Sequence, residues 1–138
     1  MNFNSIEQAL AFIQNTIVPQ VLETSVADVA KSTGEKHVQA DVYDAYQSSY
    51  ERTNKLKESW ETELISNDTL QMTNTRTDGD RYIPEIIEYG HGYYSQELDE
   101  RIGARPFIEN TRSELEAGVA KQAVIQGLES LLGKGNVF

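Results

Sequence analysis

Ile6, Ala9, Leu10, Ile13 and Ile17 recur at spacings of three and four residues, the interval that places side chains on one face of an α-helix. Asn4 and Ser5 precede the run, and either can accept a hydrogen bond from the free N–H groups of a first turn. Pro19 removes one backbone donor and presses on the preceding turn. Beyond it, Val21, Leu22, Val26 and Val29 lie on a rotated face. The pattern predicts one kinked helix, or two short ones, ending near Ser32 with Gly34 as the C-terminal stop. Residues 36–50, with Val38, Val42, Tyr43, Tyr46 and Tyr50, fit either a turn or two of helix or an aromatic-rich loop.

From Trp60 the period falls to two. Trp60, Thr62 and Leu64 alternate with Glu61, Glu63 and Ile65; Asn67-Asp68 supplies a turn; and Leu70, Met72 and Asn74 alternate with Gln71, Thr73 and Thr75. This is the pattern of a β-hairpin. Asp78-Gly79-Asp80 marks a second turn, and Tyr82 to Tyr89 reads as a third strand, with Pro84 at its start or on an edge because proline cannot donate to a ladder. The last helix is expected to open at Pro106. Ile108, Thr111, Leu115 and Val119 form one stripe, which Ile125, Leu128 and Leu132 continue only if it rotates, so the distal half is expected to face elsewhere, toward a partner chain. The predicted fold is α+β: a kinked N-terminal helix, a small antiparallel sheet of three or more strands, and a C-terminal helix packed on the sheet. All 138 residues fit a single domain, with 133–138 as a frayed tail.

Charge narrows the partners. Twelve Lys and Arg against 22 Asp and Glu give a net charge of −10, a field that repels phosphate, so sequence-specific nucleic-acid binding is not expected. The same charge opposes self-association of the free chain. Without cysteine there is no disulfide framework and no thiolate chemistry. No apolar run approaches the roughly 20 residues of a membrane helix, and the opening MNFNSIEQ lacks the basic and apolar regions of a secretory signal.

The stretch IIEYGHGYY, residues 86–94, is the place to look for chemistry. His91 with Glu88 three residues earlier has the makings of a general base and its orienting carboxylate, the basis for a small-hydrolase reading. Ser95 is close in sequence, but a glycine-flanked serine elbow is missing. Only His37 and His91 are available to a metal, without paired-ligand spacing. Gly90 and Gly92 lack the spacing of a dinucleotide loop and are explained by a backbone bend. No metal, cofactor or catalytic residue is expected. The seven tyrosines are divided between capping the core with their rings and serving a protein interface. A cytoplasmic module for a peptide or a basic ligand is a third class consistent with these residues.

Three motifs in order carry a resemblance. YERTNKLKESW (residues 50–60), IIEYGHGYY and ARPFIENTRSELE (residues 104–116) resemble the minor tail component family of long-tailed phages. Arg52, Thr53, Leu56, Ser59 and Trp60 match the family's Arg-Thr-Gly-x-Leu-x-x-Ser element entering the first strand. Ile87, Glu88, Tyr89 and Gly90 match its Val-Glu-Tyr/Phe-Gly strand end, and Arg105, Pro106 and Phe107 match the Arg-Pro-Phe that opens the last helix. The match covers residues 40–117. Asn54 stands where the family usually has glycine, and asparagine is among the better side chains at positive φ. The resemblance implies a non-enzymatic virion protein of the neck, a head–tail joining or tail completion component, with a tail terminator as the alternative within that region. It also implies a ring of copies around the DNA path, contacts with adjacent head-closure or connector and tail proteins, and residence in the virion after assembly in the host cytoplasm. Tyr93, Tyr94, Ile102, Ile125, Leu128 and Leu132 are the candidates for its contacts. Acidic charge multiplied around such a ring would keep DNA from adhering to the wall.

Overall fold

Ser5 starts the first helix. Its Oγ accepts from the Gln8 N–H at 3.2 Å, while Gln8 Oε1 accepts from the Asn4 N–H at 2.9 Å, so two donors at the helix entrance find side-chain partners. The computed structural model describes residues 2–45, 54–93 and 95–133. Helix α1 runs over residues 6–43 without interruption. Pro19 is absorbed rather than allowed to break it: on either side, over Ile13–Ile17 and Leu22–Val26, the hydrogen bonding widens to five-residue turns, with the Val18 N–H reaching back to the Ile13 carbonyl. A wider turn gives the proline ring room that a regular turn would deny it. A third wide turn, Val38–Tyr43, completes the helix.

The expected stop at Ser32–Gly34 is therefore wrong, and the reason is packing. Gly34 is buried inside α1, where an added Cβ would stand 2.5 Å from Trp60 Cε2. This glycine lets an indole ring approach the helix; it does not turn the chain. The segment after it is helix, not an aromatic loop, and Val38 and Val42 on its inner face are fully buried, with Tyr43 packed beside them. Tyr46 and Tyr50 lie outside the described residues.

Asn54 takes φ 62° and leads into the short helix α2, Lys55–Glu58, as its side-chain type allows. Strands β1, Trp60–Ser66, and β2, Thr69–Asn74, then pair antiparallel in the predicted phase, Trp60 opposite Asn74 and Leu64 opposite Leu70, with a bulge between Leu64 and Ser66. Trp60, Thr62 and Leu64 face inward and Glu61, Glu63 and Ile65 outward. At the tip, Asp68 Oδ1 accepts from the hydroxyls of Ser66 and Thr69, and the Asn67 amide donates to Asn15 Oδ1 of α1 at 3.1 Å. The predicted alternation extended to Asn74, which is buried: its Nδ2 donates to the Leu56 carbonyl at 2.7 Å and its Oδ1 accepts from the Arg76 N–H.

The third strand is corrected. On either side of the turn at Gly79, strands β3, Thr77–Asp78, and β4, Arg81–Tyr82, form a separate two-stranded hairpin, and Ile83–Tyr89 is helix α3. An eight-residue apolar stretch is ambiguous between the two states. Pro84, taken as an edge-strand signal, instead occupies the first turn of a helix, where its missing N–H costs nothing, and Ile83 and Ile87 share a helical face. Helix α4, Gln96–Ile102, follows, capped by Ser95, whose Oγ accepts from the Leu98 N–H.

The C-terminal part opens at Phe107, one residue after Pro106, as expected. Helix α5, Phe107–Glu114, passes through a wide turn, Leu115–Val119, into helix α6, Ala120–Leu132. Gly118 at φ 135° breaks the helical path. The path thus turns one residue before Val119, within the first stripe, and Val119 is followed by regular helix through Ile125, Leu128 and Leu132. Helix α6 does not leave the molecule: Gly127 packs so closely on α1 that a Cβ there would lie 2.7 Å from Ser25 Oγ and 2.9 Å from Val21 Cγ1. The fold is α+β, with a long N-terminal helix, two small antiparallel hairpins and a C-terminal helical segment laid along α1. Its core gathers Val38, Val42, Leu56, Trp60, Ile87 and Phe107. The C-terminal segment meets the sheet there through Phe107, whose ring stands edge-on to Trp60 with centroids 5.9 Å apart.

Candidate functional site

The three motifs, spread over more than fifty residues, converge on that core. Leu56 and Trp60 of the first, Ile87 of the second and Phe107 of the third are buried together. Arg52 and Thr53 lie outside the described residues. Ser59 stitches the first motif to the strand pair, its carbonyl accepting from both the N–H and the hydroxyl of Thr75.

The second and third motifs form a clasp. Glu88 is the penultimate residue of α3, and its carboxylate accepts from the Ile108 N–H at 2.8 Å and the Glu109 N–H at 3.0 Å. It therefore caps α5 from another helix, placing negative charge where the first turn leaves N–H groups free. Gly90 ends α3 at φ 72°, its N–H bonded to the Ile86 carbonyl. A Cβ at Gly90 would collide with the Ala104 nitrogen and the Gly103 carbonyl carbon. Next to that contact, the Arg105 N–H donates to the Ile87 carbonyl at 2.9 Å. The Arg105 guanidinium donates to the Tyr93 hydroxyl at 2.8 Å and the Val42 carbonyl at 3.3 Å, with its carbon 5.9 Å from the Tyr93 ring centroid. The Pro106 carbonyl accepts from the Asn110 N–H. Tyr89 projects into solvent. Glu88-Tyr89-Gly90 is thus a helix end, not a strand end, and what it holds is the entrance of α5.

The geometry bears on the chemistry. Glu88 is turned to the backbone of α5, while His91 is exposed beyond the Gly90 bend. Among the described residues no group of three His, Cys, Asp or Glu side chains could hold a metal ion, and no helix is long and apolar enough to cross a membrane. Of the candidate contact residues, Tyr93 is half-buried under Arg105, Tyr94 lies outside the described residues, Ile102, Ile125 and Leu128 are half-buried, and Leu132 is exposed. The predicted tail, apart from Gly133, also lies outside them.

One polar cluster was not foreseen. His37 Nδ1 is 2.7 Å from Asp41 Oδ2, which also accepts from Asn110 Nδ2 at 3.0 Å. His37 Nε2 is 3.4 Å from Glu114 Oε1, and Lys36 Nζ binds the same carboxylate. The Lys36 ammonium holds the Glu114 carboxyl below its ordinary range. The spacing of His37 and Asp41 on one helix face was visible in the sequence; their partners on α5 were not. The cluster ties α1 to α5.

Truncation of the capping carboxylate offers a direct measure of the clasp. Glu88→Ala is expected to lower stability by roughly 0.5–2 kcal/mol, the range for loss of a helix cap, with Glu88→Gln intermediate because it keeps one acceptor. Denaturant midpoints of the two variants check this; wild-type values for both would show that the carboxylate contributes nothing.

The family model described as YomN matches residues 2–134. Among curated proteins, the SPbeta prophage-derived uncharacterized protein YomN of Bacillus subtilis (strain 168) is 30% identical over 131 residues, covering 91% of this chain and 94% of that relative. No solved structure matches. A match that takes in the N-terminal helix, both hairpins and the clasp together makes this chain a member of the YomN family.

Proposed function

We propose that this chain is a phage-associated structural protein, a head–tail joining or tail completion component of a tailed-phage neck, present as a ring around the DNA path and in contact with adjacent head-closure or connector and tail proteins. The observation that carries the reading is the clasp. The residues that resemble the minor tail component motifs form one mechanical unit, Glu88 and Gly90 gripping Arg105, Pro106 and Phe107 around a shared core. Kinship with a prophage-derived protein supports the phage setting. A non-enzymatic role is supported by the use of Glu88 as a helix cap, which removes the orienting carboxylate a His91-centred hydrolase would need. Its place is then the virion, after assembly in the host cytoplasm, and it carries no cofactor.

Electron microscopy of the intact virion neck tests the reading. The expected density is a closed ring of this chain on the DNA axis, built from head-to-tail contacts between copies. A single off-axis copy, or no copy in the virion, overturns it. So does turnover of an ester or phosphate substrate by the purified chain that disappears in His91→Ala.

A further inference from the structure

The first turns of α1 carry an apolar stripe that the fold does not cover. Ile6, Leu10 and Ile13 are 75%, 51% and 40% exposed, whereas Ile17, the next member of the series, is buried; Phe3, ahead of the helix, packs on Phe12 with ring centroids 5.4 Å apart. Their spacings alternate between three and four, the interval of a coiled-coil seam. Exposed apolar surface at such regular intervals marks a contact. Helix α6 crosses α1 further along, at Val21 and Ser25, and the hairpin tip touches it at Asn15 on a polar atom.

Charge points to the occupant. Of the 22 acidic and 12 basic side chains, the first 22 residues hold one, Glu7. Of the positions flanking the stripe, Ala9, Gln14 and Thr16 are neutral and Glu7 alone is charged. An anionic membrane surface would call for Lys or Arg on the polar face of such a helix, and there is none. A strongly charged protein partner would find almost nothing to pair with. A second copy of this chain meets the opposite condition. Everywhere else two copies repel through their excess of carboxylates; here each presents an apolar seam with a single flanking carboxylate, Glu7, and the same spacing as the other.

We infer that Ile6, Leu10 and Ile13 pack against the same stripe of a second copy, helix against helix. The contact is isologous and closes as a pair. It is therefore additional to the head-to-tail contacts of a ring and stands or falls separately from the neck reading.

Sedimentation of the full chain tests the pair. Near 1 M salt, where screening reduces the reach of charge to about 3 Å, the wild type should sediment as a dimer across the micromolar range. Leu10→Glu should sediment as a monomer, and at dilutions where the wild type is also monomeric it should unfold at the same midpoint, since half of the Leu10 side chain is exposed within the chain. Because the chain has no cysteine, a single Ile6→Cys should cross-link to a disulfide dimer on mild oxidation, whereas Asp80→Cys on the exposed second turn should not. A monomeric wild type at high salt overturns the inference. Association that survives Leu10→Glu, or equal cross-linking at both cysteines, overturns it as well. A wild type that stays monomeric alone and binds only another virion protein through this stripe overturns the pairing while leaving the neck assignment intact.

Discussion

Phe107→Ala is expected to remove about 3–5 kcal/mol of folding free energy, the usual cost of truncating a buried phenylalanine. A domain of this size has roughly 5–15 kcal/mol in total, so the variant should be poorly folded or insoluble. The ring is wholly excluded from solvent, stands edge-on to Trp60 of β1, and belongs to one buried cluster with Val38 and Val42 from α1, Leu56 from α2 and Ile87 from α3. None of these can close the hole alone, because each is fixed by its own element. The backbone at this position is also engaged, since the Thr111 hydroxyl donates to the Phe107 carbonyl at 2.6 Å. Phe107→Leu should recover much of the loss by refilling the volume. Calorimetry or denaturant unfolding of both variants checks this. A stable Phe107→Ala protein that fails to join heads to tails would place the ring at an interface instead.

Gly90→Ala should cost roughly 2–5 kcal/mol, from two contributions that act together. The left-handed conformation at φ 72° strains any residue with a Cβ by about 1–2 kcal/mol, and forcing an atom into a closed space adds about 1–3 kcal/mol. The obstacle is backbone, the Gly103–Ala104 peptide, which cannot swing aside as a side chain would. It can yield only if the Arg105-to-Ile87 hydrogen bond and the Glu88 cap shift with it. The variant should therefore lose α5 docking as well as stability. Amide exchange at Ile108 and Glu109, whose N–H groups Glu88 holds, distinguishes the cases: faster exchange there is expected, and unchanged exchange with an unchanged midpoint would show that Gly90 is replaceable.

The parts of the fold legible in the sequence were those whose signals are local. The Asn4-Ser5 entrance of α1, the phase of the first hairpin and the start of α5 after Pro106 each follow from residues within a few positions, whereas the positive φ of Asn54 was visible through the resemblance. The misreadings arose where a glycine or proline served a distant partner. Gly34 reads as a stop until Trp60 is known to lie on it. Pro84 reads as an edge strand because Ile83 to Tyr89 is too short for its period to decide. The residues of the clasp were visible one by one through the resemblance, but their mutual geometry was not. That Glu88 reaches twenty residues ahead to two N–H groups is a tertiary fact. The kink at Gly118 had no signal in the stripe, whose phase shift falls beyond Val119.

The chain has one tryptophan, and it stands where the long helix, the hairpin and the C-terminal helix meet, over Gly34 and edge-on to Phe107. The molecule thus carries its own optical reporter. Indole emission depends on the polarity and rigidity of its surroundings, and every wall around this ring belongs to a different segment. Separation of any one of them admits water and moves the emission toward the red, whereas events at the far N-terminal turns of α1 leave it dark. Fluorescence therefore reports on one end of the rod, whereas a helix-sensitive probe such as circular dichroism reports on all the helices together. Coincident transitions would mean that the rod transmits order from one end to the other, and divergent ones that its wide turns let the ends melt apart.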